Sequence, residues 1–103
     1  MSTNTLRTAT TPDEVVALPI AVVATTAADV RELLHRAVDG GTGPVVVDLA
    51  AVERLDVVGL GVLMGAYRRA SARGRDLRVA RPSRRVASVL YITGLDRVLC
   101  PRR

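Results

Sequence analysis

The sequence predicts an α/β domain with parallel strands. Two observations carry that expectation. From Glu14 to Gly94, short runs rich in Val alternate with stretches of helical periodicity. The breaks between them are short and marked by Gly or Pro, which suits right-handed crossovers between neighbouring parallel strands. Length sets a third bound, since 103 residues are enough for one small core. Two Tyr are the only aromatic residues, so that core must be built from Val, Leu, Ile and Ala.

Each element has its own local reason. Leu6 to Thr10 alternates weakly and reads as an edge strand, followed by a Thr11-Pro12-Asp13 turn. Glu14 to Leu18 reads as a strand stopped by Pro19. Ile20 to Val23 is apolar and fits either strand or loop. Thr25 or Thr26 is placed to cap a helix, with Asp29 completing an approximate capping box. Val30, Leu33, Leu34, Ala37 and Val38 then form one apolar stripe. Glu32 and Arg36 pair one turn apart on the other side, and Gly40-Gly41 stop the helix. His35, the single histidine, reads as a surface helix residue.

Pro44 to Leu49 is the strongest strand signal, and its β-branched run predicts a central strand covered on both faces. Asp48 is placed to accept backbone N–H groups of the following loop, and Leu55 to plug the core. A helix from Val57 or Val58 to Arg73 presents Leu60, Leu63, Met64, Tyr67 and Ala70 at helical spacing, and Gly74 ends it. Gly59, Gly61 and Gly65 within it are costly and imply close backbone approach to the sheet or to a partner. Asp76 to Ala80 is a further strand. Pro82 and Ser83 start a helix with Val86, Val89, Leu90 and Thr93 inward and Gly94 as its cap; Val98-Leu99 offers a last short strand.

The net charge of +5 is unevenly spread. Residues 1–67 hold four Arg and eight acidic residues, while residues 68–103 hold eleven Arg and two Asp. Either this is a solvated face written in arginine, or it attracts an acidic protein or nucleic acid. The chain has no Phe or Trp to stack bases, which argues against single-strand binding. Cys100 has no partner for an intrachain disulfide, no metal-ligand cluster accompanies it, and no cofactor is expected. An apolar signal core and a run long enough to span a bilayer are both missing, so a cytoplasmic location is expected. With one His, one Cys, no Lys and no paired carboxylates at a convincing spacing, an enzyme is not expected either.

The junction LDVVGLGVLMGAYRRA, Leu55 to Ala70, carries the most information. Asp56 is placed to cap the helix by accepting its first N–H groups. Such a helix start favours an anion, and a serine there would be well presented to a kinase. The two positions after Asp56 are instead Val57 and Val58. Each can be tucked under the strand ends or held out as an apolar contact.

These residues resemble the STAS domain family, and within it the bacterial anti-sigma factor antagonists. The resemblance rests on VVVDLAAVERLDVVGLGVL, Val45 to Leu63, where Asp56 and Gly59-Leu60-Gly61 match the family's Asp-Ser-Ser/Thr-Gly-Leu-Gly run. The later Pro82-Ser83 turn and Thr93-Gly94-Leu95-Asp96 match a second signature, so that residues 14 to 100 are covered. The resemblance implies an α/β fold of a single STAS-like domain over residues 1–103, with a mixed, mostly parallel sheet covered mainly on one face by helices. It implies a protein-binding regulatory module whose partner is an anti-sigma factor of the serine-kinase type. The implied partner surface comprises Asp56, Val57, Val58, Gly59, Leu60, Ala21, Val23 and Thr25. Val57 stands where the family has its phosphorylated serine, so the usual switch is not expected to operate. The family's Gly-Glu-Leu-Asp run is replaced by Ile20-Ala21-Val22-Val23, which removes two acidic residues. The family's C-terminal helix has no counterpart, leaving an apolar strip that a second copy of the chain can cover. A scaffold subunit of a signalling or transport assembly, and a sensor of a nucleotide or other small anion, are the alternatives.

Overall fold

The computed structural model describes residues 14–100. The expected edge strand at Leu6 to Thr10 and the turn at Thr11 to Asp13 lie outside them. The elements run β1 (Glu14–Ala17), β2 (Ala21–Val22), α1 (Ala27–Asp39), β3 (Val45–Asp48), β4 (Arg54–Leu55), α2 (Val57–Ala72), β5 (Leu77–Ala80), α3 (Arg84–Thr93) and α4 (Asp96–Leu99). β3 lies between β1 and β5 in a three-stranded parallel sheet, with Val45 level with Glu14 on one side and Leu77 on the other. β2 and β4 form a separate parallel pair, Ala21 with Arg54 and Val22 with Leu55.

The core lies between the sheet and the helices. Val16, Val45, Val47, Leu77 and Val79 point into it from the strands. Val30, Leu34 and Val38 of α1, and Leu60, Leu63, Ala66 and Ala70 of α2, meet them there. The apolar spacing fixes both helices, as expected. β3 departs from expectation: Val45 and Val47 are buried while Val46 and Asp48 are half-buried, so the strand is covered fully on one face only. On the other face Val15 is 61% exposed and Arg78 is exposed. A β-branched run fits a half-covered central strand as well as a fully covered one, so periodicity alone could not separate them.

Three other expectations change. Thr26 occupies the N-cap of α1 but makes no side-chain cap bond. Its hydroxyl accepts the Val23 N–H at 3.0 Å and lies 2.9 Å from the Ala21 carbonyl it donates to, tightening the preceding turn. Thr93 is exposed rather than inward, and its hydroxyl donates back to the Val89 carbonyl at 2.8 Å. The expected strand at Val98-Leu99 is the helical turn α4 instead. Gly94 ends α3 in the left-handed conformation (φ 80°), and the next residues close again through Leu99 N–H to Leu95 O and Cys100 N–H to Asp96 O. That turn carries Leu99, fully buried, into the core.

Three arginines of the second half answer two acids of the first. Arg69 grips Asp39 with two hydrogen bonds of 2.9 and 2.8 Å, and Arg73 joins it at 3.2 Å. Arg81 forks onto Asp48 at 3.2 and 2.7 Å and holds a left-handed backbone (φ 56°) uncommon for a side-chain-bearing residue. Arg75 is only 4% exposed; it donates to the carbonyls of Gly43, Ala37 and Val38 and so caps the end of α1. His35 lies partly exposed on the surface of α1, and burial followed by the Arg69 charge lowers its pKa.

The three glycines of α2 have different jobs. A Cβ on Gly59 would stand 2.0 Å from the Val22 carbonyl oxygen, so only glycine lets α2 start against β2. A Cβ on Gly61 or Gly65 would meet nothing within 4 Å. Alanine at Gly59 should therefore destabilise the fold by about 1–3 kcal/mol, the usual range for overpacking. Alanine at Gly61 or at Gly65 should stabilise it by about 0.5–1 kcal/mol each, through helix propensity. Urea unfolding midpoints of the three variants check this, and a shift in the same direction at all three would refute the distinction.

Candidate functional site at the start of the second helix

Two chain segments arrive together at the N-terminus of α2. β2 and β4 run side by side, and the Ile20 carbonyl accepts from Glu53 and Arg54 at 2.7 and 3.1 Å. The chain then reaches Asp56, whose backbone is extended (φ −108°, ψ −175°) and whose side chain caps the helix. Its Oδ1 accepts the Gly59 N–H at 2.8 Å and its Oδ2 accepts the Ala24 N–H at 3.0 Å. One carboxylate thus fastens the helix start to the loop between β2 and α1. The Gly59 bond, with help from Ala24 and Val58, holds the Asp56 carboxyl below the usual carboxylate range against an opposing effect of burial.

The surface above this clasp is apolar. Val57 is 79% exposed and Val58 40% exposed, so neither is tucked under the strand ends. Thr25 is exposed beside Ala24, and Val23 is half-buried. The remaining expected partner residues lie beneath: Ala21, Gly59 and Leu60 are buried. The available face therefore consists of Thr25, Val57 and Val58, with partial access to Val23 and Asp56. The amides of Val58 and Gly59 already serve the Asp56 carboxylate, which leaves this helix start poorly suited to an added anion.

A shallow groove of about 340 Å³ continues from this face along α2, lined by Val57, Leu60, Gly61, Met64, Arg68, Thr93 and Leu95. Its extent beyond Leu60 was not anticipated from the sequence. The signal was present in Gly61 and in Arg68 closing the apolar run, but it needed Thr93 at the end of α3 and Leu95 in the following turn to supply the facing wall. Among the described residues no cluster of His, Cys, Asp or Glu could hold a metal ion, and no helix is long and apolar enough to cross a membrane.

Comparison with known proteins places this geometry in context. The STAS domain model, described as Mlab, STAS domain, matches residues 6–101. The structure is similar to a crystal structure from Thermotoga maritima provisionally assigned as an anti-sigma factor antagonist. The two share 26% identity and a TM-score of 0.72 over 84% of this chain and 77% of that one. It is also similar in fold to the anti-sigma factor antagonist SpoIIAA in its unphosphorylated form. There the identity is 21% and the TM-score 0.70, over 86% of this chain and 79% of the other. No curated protein matches the sequence.

The clasp makes a pH-dependent contribution to stability. Because the folded carboxyl of Asp56 is held below its unfolded value of about 4, its contribution is complete above that value and is lost as pH falls through the folded one. Asp56→Asn keeps one oxygen acceptor and loses the charge. The variant should be less stable than the parent near neutrality, and the gap should narrow in acid, as pH falls below the unfolded value of about 4 toward the lower folded one. Urea midpoints at neutral and acid pH test this; a gap of constant size would mean that the charge adds nothing.

Proposed function

The chain belongs to the STAS domain family, and we propose that it serves as a protein-binding regulatory module of the anti-sigma factor antagonist kind, without a phosphorylation switch at the usual place. The observation that carries this reading is Val57, an exposed apolar side chain at the capped start of α2, where relatives are expected to carry the phosphorylated serine. The scaffold around it is complete, since Asp56 clasps both segments and Gly59 admits the helix to β2. A valine accepts no phosphoryl group. The partner surface assigned here is Thr25, Val57 and Val58, with Val23 and Asp56 at its margin. The partner is an anti-sigma factor of the serine-kinase type, and the contact with it is lasting rather than switched.

A second reading uses the same surface. A permanent subunit contact within a signalling or transport assembly also favours apolar residues that cannot be modified, and Val57 and Val58 fit it equally well. We assign no catalytic role to the chain: the carboxylates of Asp39, Asp48 and Asp56 are taken up by Arg69, Arg81 and backbone amides respectively. Nucleic acid is disfavoured because Arg69, Arg73, Arg78 and Arg81 are engaged with acidic side chains.

The test is calorimetric binding to kinase-type anti-sigma factors encoded by the same cell, with and without ATP. The parent chain should bind equally well before and after incubation with ATP. Val57→Ser should become releasable by ATP, and Val57→Glu should weaken binding by about tenfold or more through a buried unpaired charge. Full-strength binding by Val57→Glu would place the contact elsewhere. Phosphate appearing on Thr25 of the parent would show that the switch has moved rather than vanished.

A further inference from the structure

We propose that the groove running along α2 from Val57 to Arg68 receives one amphipathic helix of a partner protein, seated by its apolar stripe and oriented by a carboxylate that pairs with Arg68. The proposal rests on the protein-binding reading above and adds to it the shape and charge of what binds.

The shape follows from α2 itself. Val57 and Arg68 are eleven residues apart, so the groove extends about 16 Å, or three helical turns. Its floor and walls are Leu60, Gly61 and Met64 on one side and Leu95 on the other. Gly61 and Gly65 fall one turn apart, and among the described residues neither is required by a neighbour, since a Cβ at either would meet nothing within 4 Å. Each still costs the helix about 1 kcal/mol relative to alanine. Gly59, by contrast, is accounted for by the Val22 carbonyl. Bare backbone at Gly61, within the groove, lets another backbone come closer than a side chain would permit, and Gly65 keeps the adjoining turn of α2 bare as well. A helix carrying apolar residues three and four apart fits a three-turn trough of this kind. An added strand does not, because the groove has a helix rather than a sheet edge for its floor.

The charge follows from Arg68. It is exposed at the end of the groove and has no ion-pair partner among the described residues. Its neighbours Arg69 and Arg73 are both committed to Asp39. Among the described residues, Arg68 is the one charged side chain lining the groove. A carboxylate on the incoming helix would meet a cation there and no competing anion of the groove. The same charge argues against a second copy as the occupant: the chain carries +5 overall, and two copies pairing through this face bring like charges together.

The experiment uses the full chain, isotope-labelled for nuclear magnetic resonance, and two synthetic helical peptides of about 18 residues, long enough to hold helical structure. The peptides share one Leu and Ala stripe and carry either Glu or Lys at the flanking positions. The Glu peptide should perturb amides of residues 57–68 and 93–95. Near physiological salt it should bind about tenfold or more tightly than the Lys peptide. Gly61→Leu, which places a side chain in the trough where a Cβ meets no other group of the described residues, should abolish the perturbation, and Arg68→Glu should reverse the peptide preference. No perturbation by either peptide at millimolar concentration overturns the proposal, as does perturbation elsewhere or indifference to peptide charge. Concentration-dependent dimerisation that perturbs the same amides would assign the groove to a second copy and also overturn it. A natural partner that binds the Gly61→Leu and Arg68→Glu forms as well as the parent, yet fails to bind Val57→Glu, removes the groove and leaves the protein-binding reading standing.

Discussion

The surface at the start of α2 depends on one carboxylate. Asp56 holds two N–H groups that are 35 residues apart in sequence, Ala24 and Gly59, one on each oxygen. Without it the first turn of α2 would lack its cap, and the loop before α1 would lose its tie to that turn. The clasp can be this short because Gly59 has no side chain, which lets α2 start directly against the Val22 carbonyl. The β2–β4 pairing brings Val22 and Leu55 level, so the two segments enter the clasp in register. The exposed valines are therefore displayed on a braced platform, and little ordering remains to be done when a partner arrives.

A second constraint is electrostatic and joins the two halves of the chain. Asp39 ends α1 and Asp48 ends β3, and each receives arginine from the second half. The pairs are exposed, so individually they add little to stability. Their value lies in register: Arg69 and Arg73 tie α2 to the end of α1, and Arg81 ties the loop after β5 to the end of β3. Arg75 acts differently. It is buried, and its guanidinium meets the last carbonyls of α1 and the Gly43 carbonyl, where a helix end would otherwise be left unsatisfied. The cations left outside these pairings include Arg68, which is why one position rather than a general basic face distinguishes the groove.

What could be read from the sequence divides along the range of the interactions. Helices α1 and α2, strands β1, β3 and β5, and the Ser83 and Gly94 ends of α3 were legible because local periodicity and capping chemistry decide them. The Asp56 cap was legible for the same reason; its second bond, to Ala24, was not, since nothing local points across so long a stretch. Arg54-Leu55 becomes a strand only because Ala21-Val22 lies beside it. Val98-Leu99 reads as strand by composition, yet Gly94 redirects the chain and burial of Leu99 against the core selects a helical turn. Arg75 looked like its neighbours in a basic run, and only the position of the end of α1 separates it from them. At the site, the exposed valines were visible as an oddity, while the groove needed the end of α3 and the following turn to be placed before it existed.

The replacement of a hydroxyl by Val57 changes the energetics of any contact made there. A serine at a partner interface is held by weak forces and is released when phosphorylation adds about two negative charges. Here those charges would fall beside the Asp56 carboxylate, which is already ionised and held by the helix amides, so repulsion would add to the cost of burying them. Val57 cannot enter that state. Covering a valine fully contributes roughly 1.5–3 kcal/mol, a gain that chemistry at that side chain has no means of withdrawing. On the proposed reading, a platform that displays a reversible contact when it carries a hydroxyl displays a lasting one when it carries a methyl-branched side chain. Control of such a contact must come from the partner's abundance or from its own conformation rather than from this position.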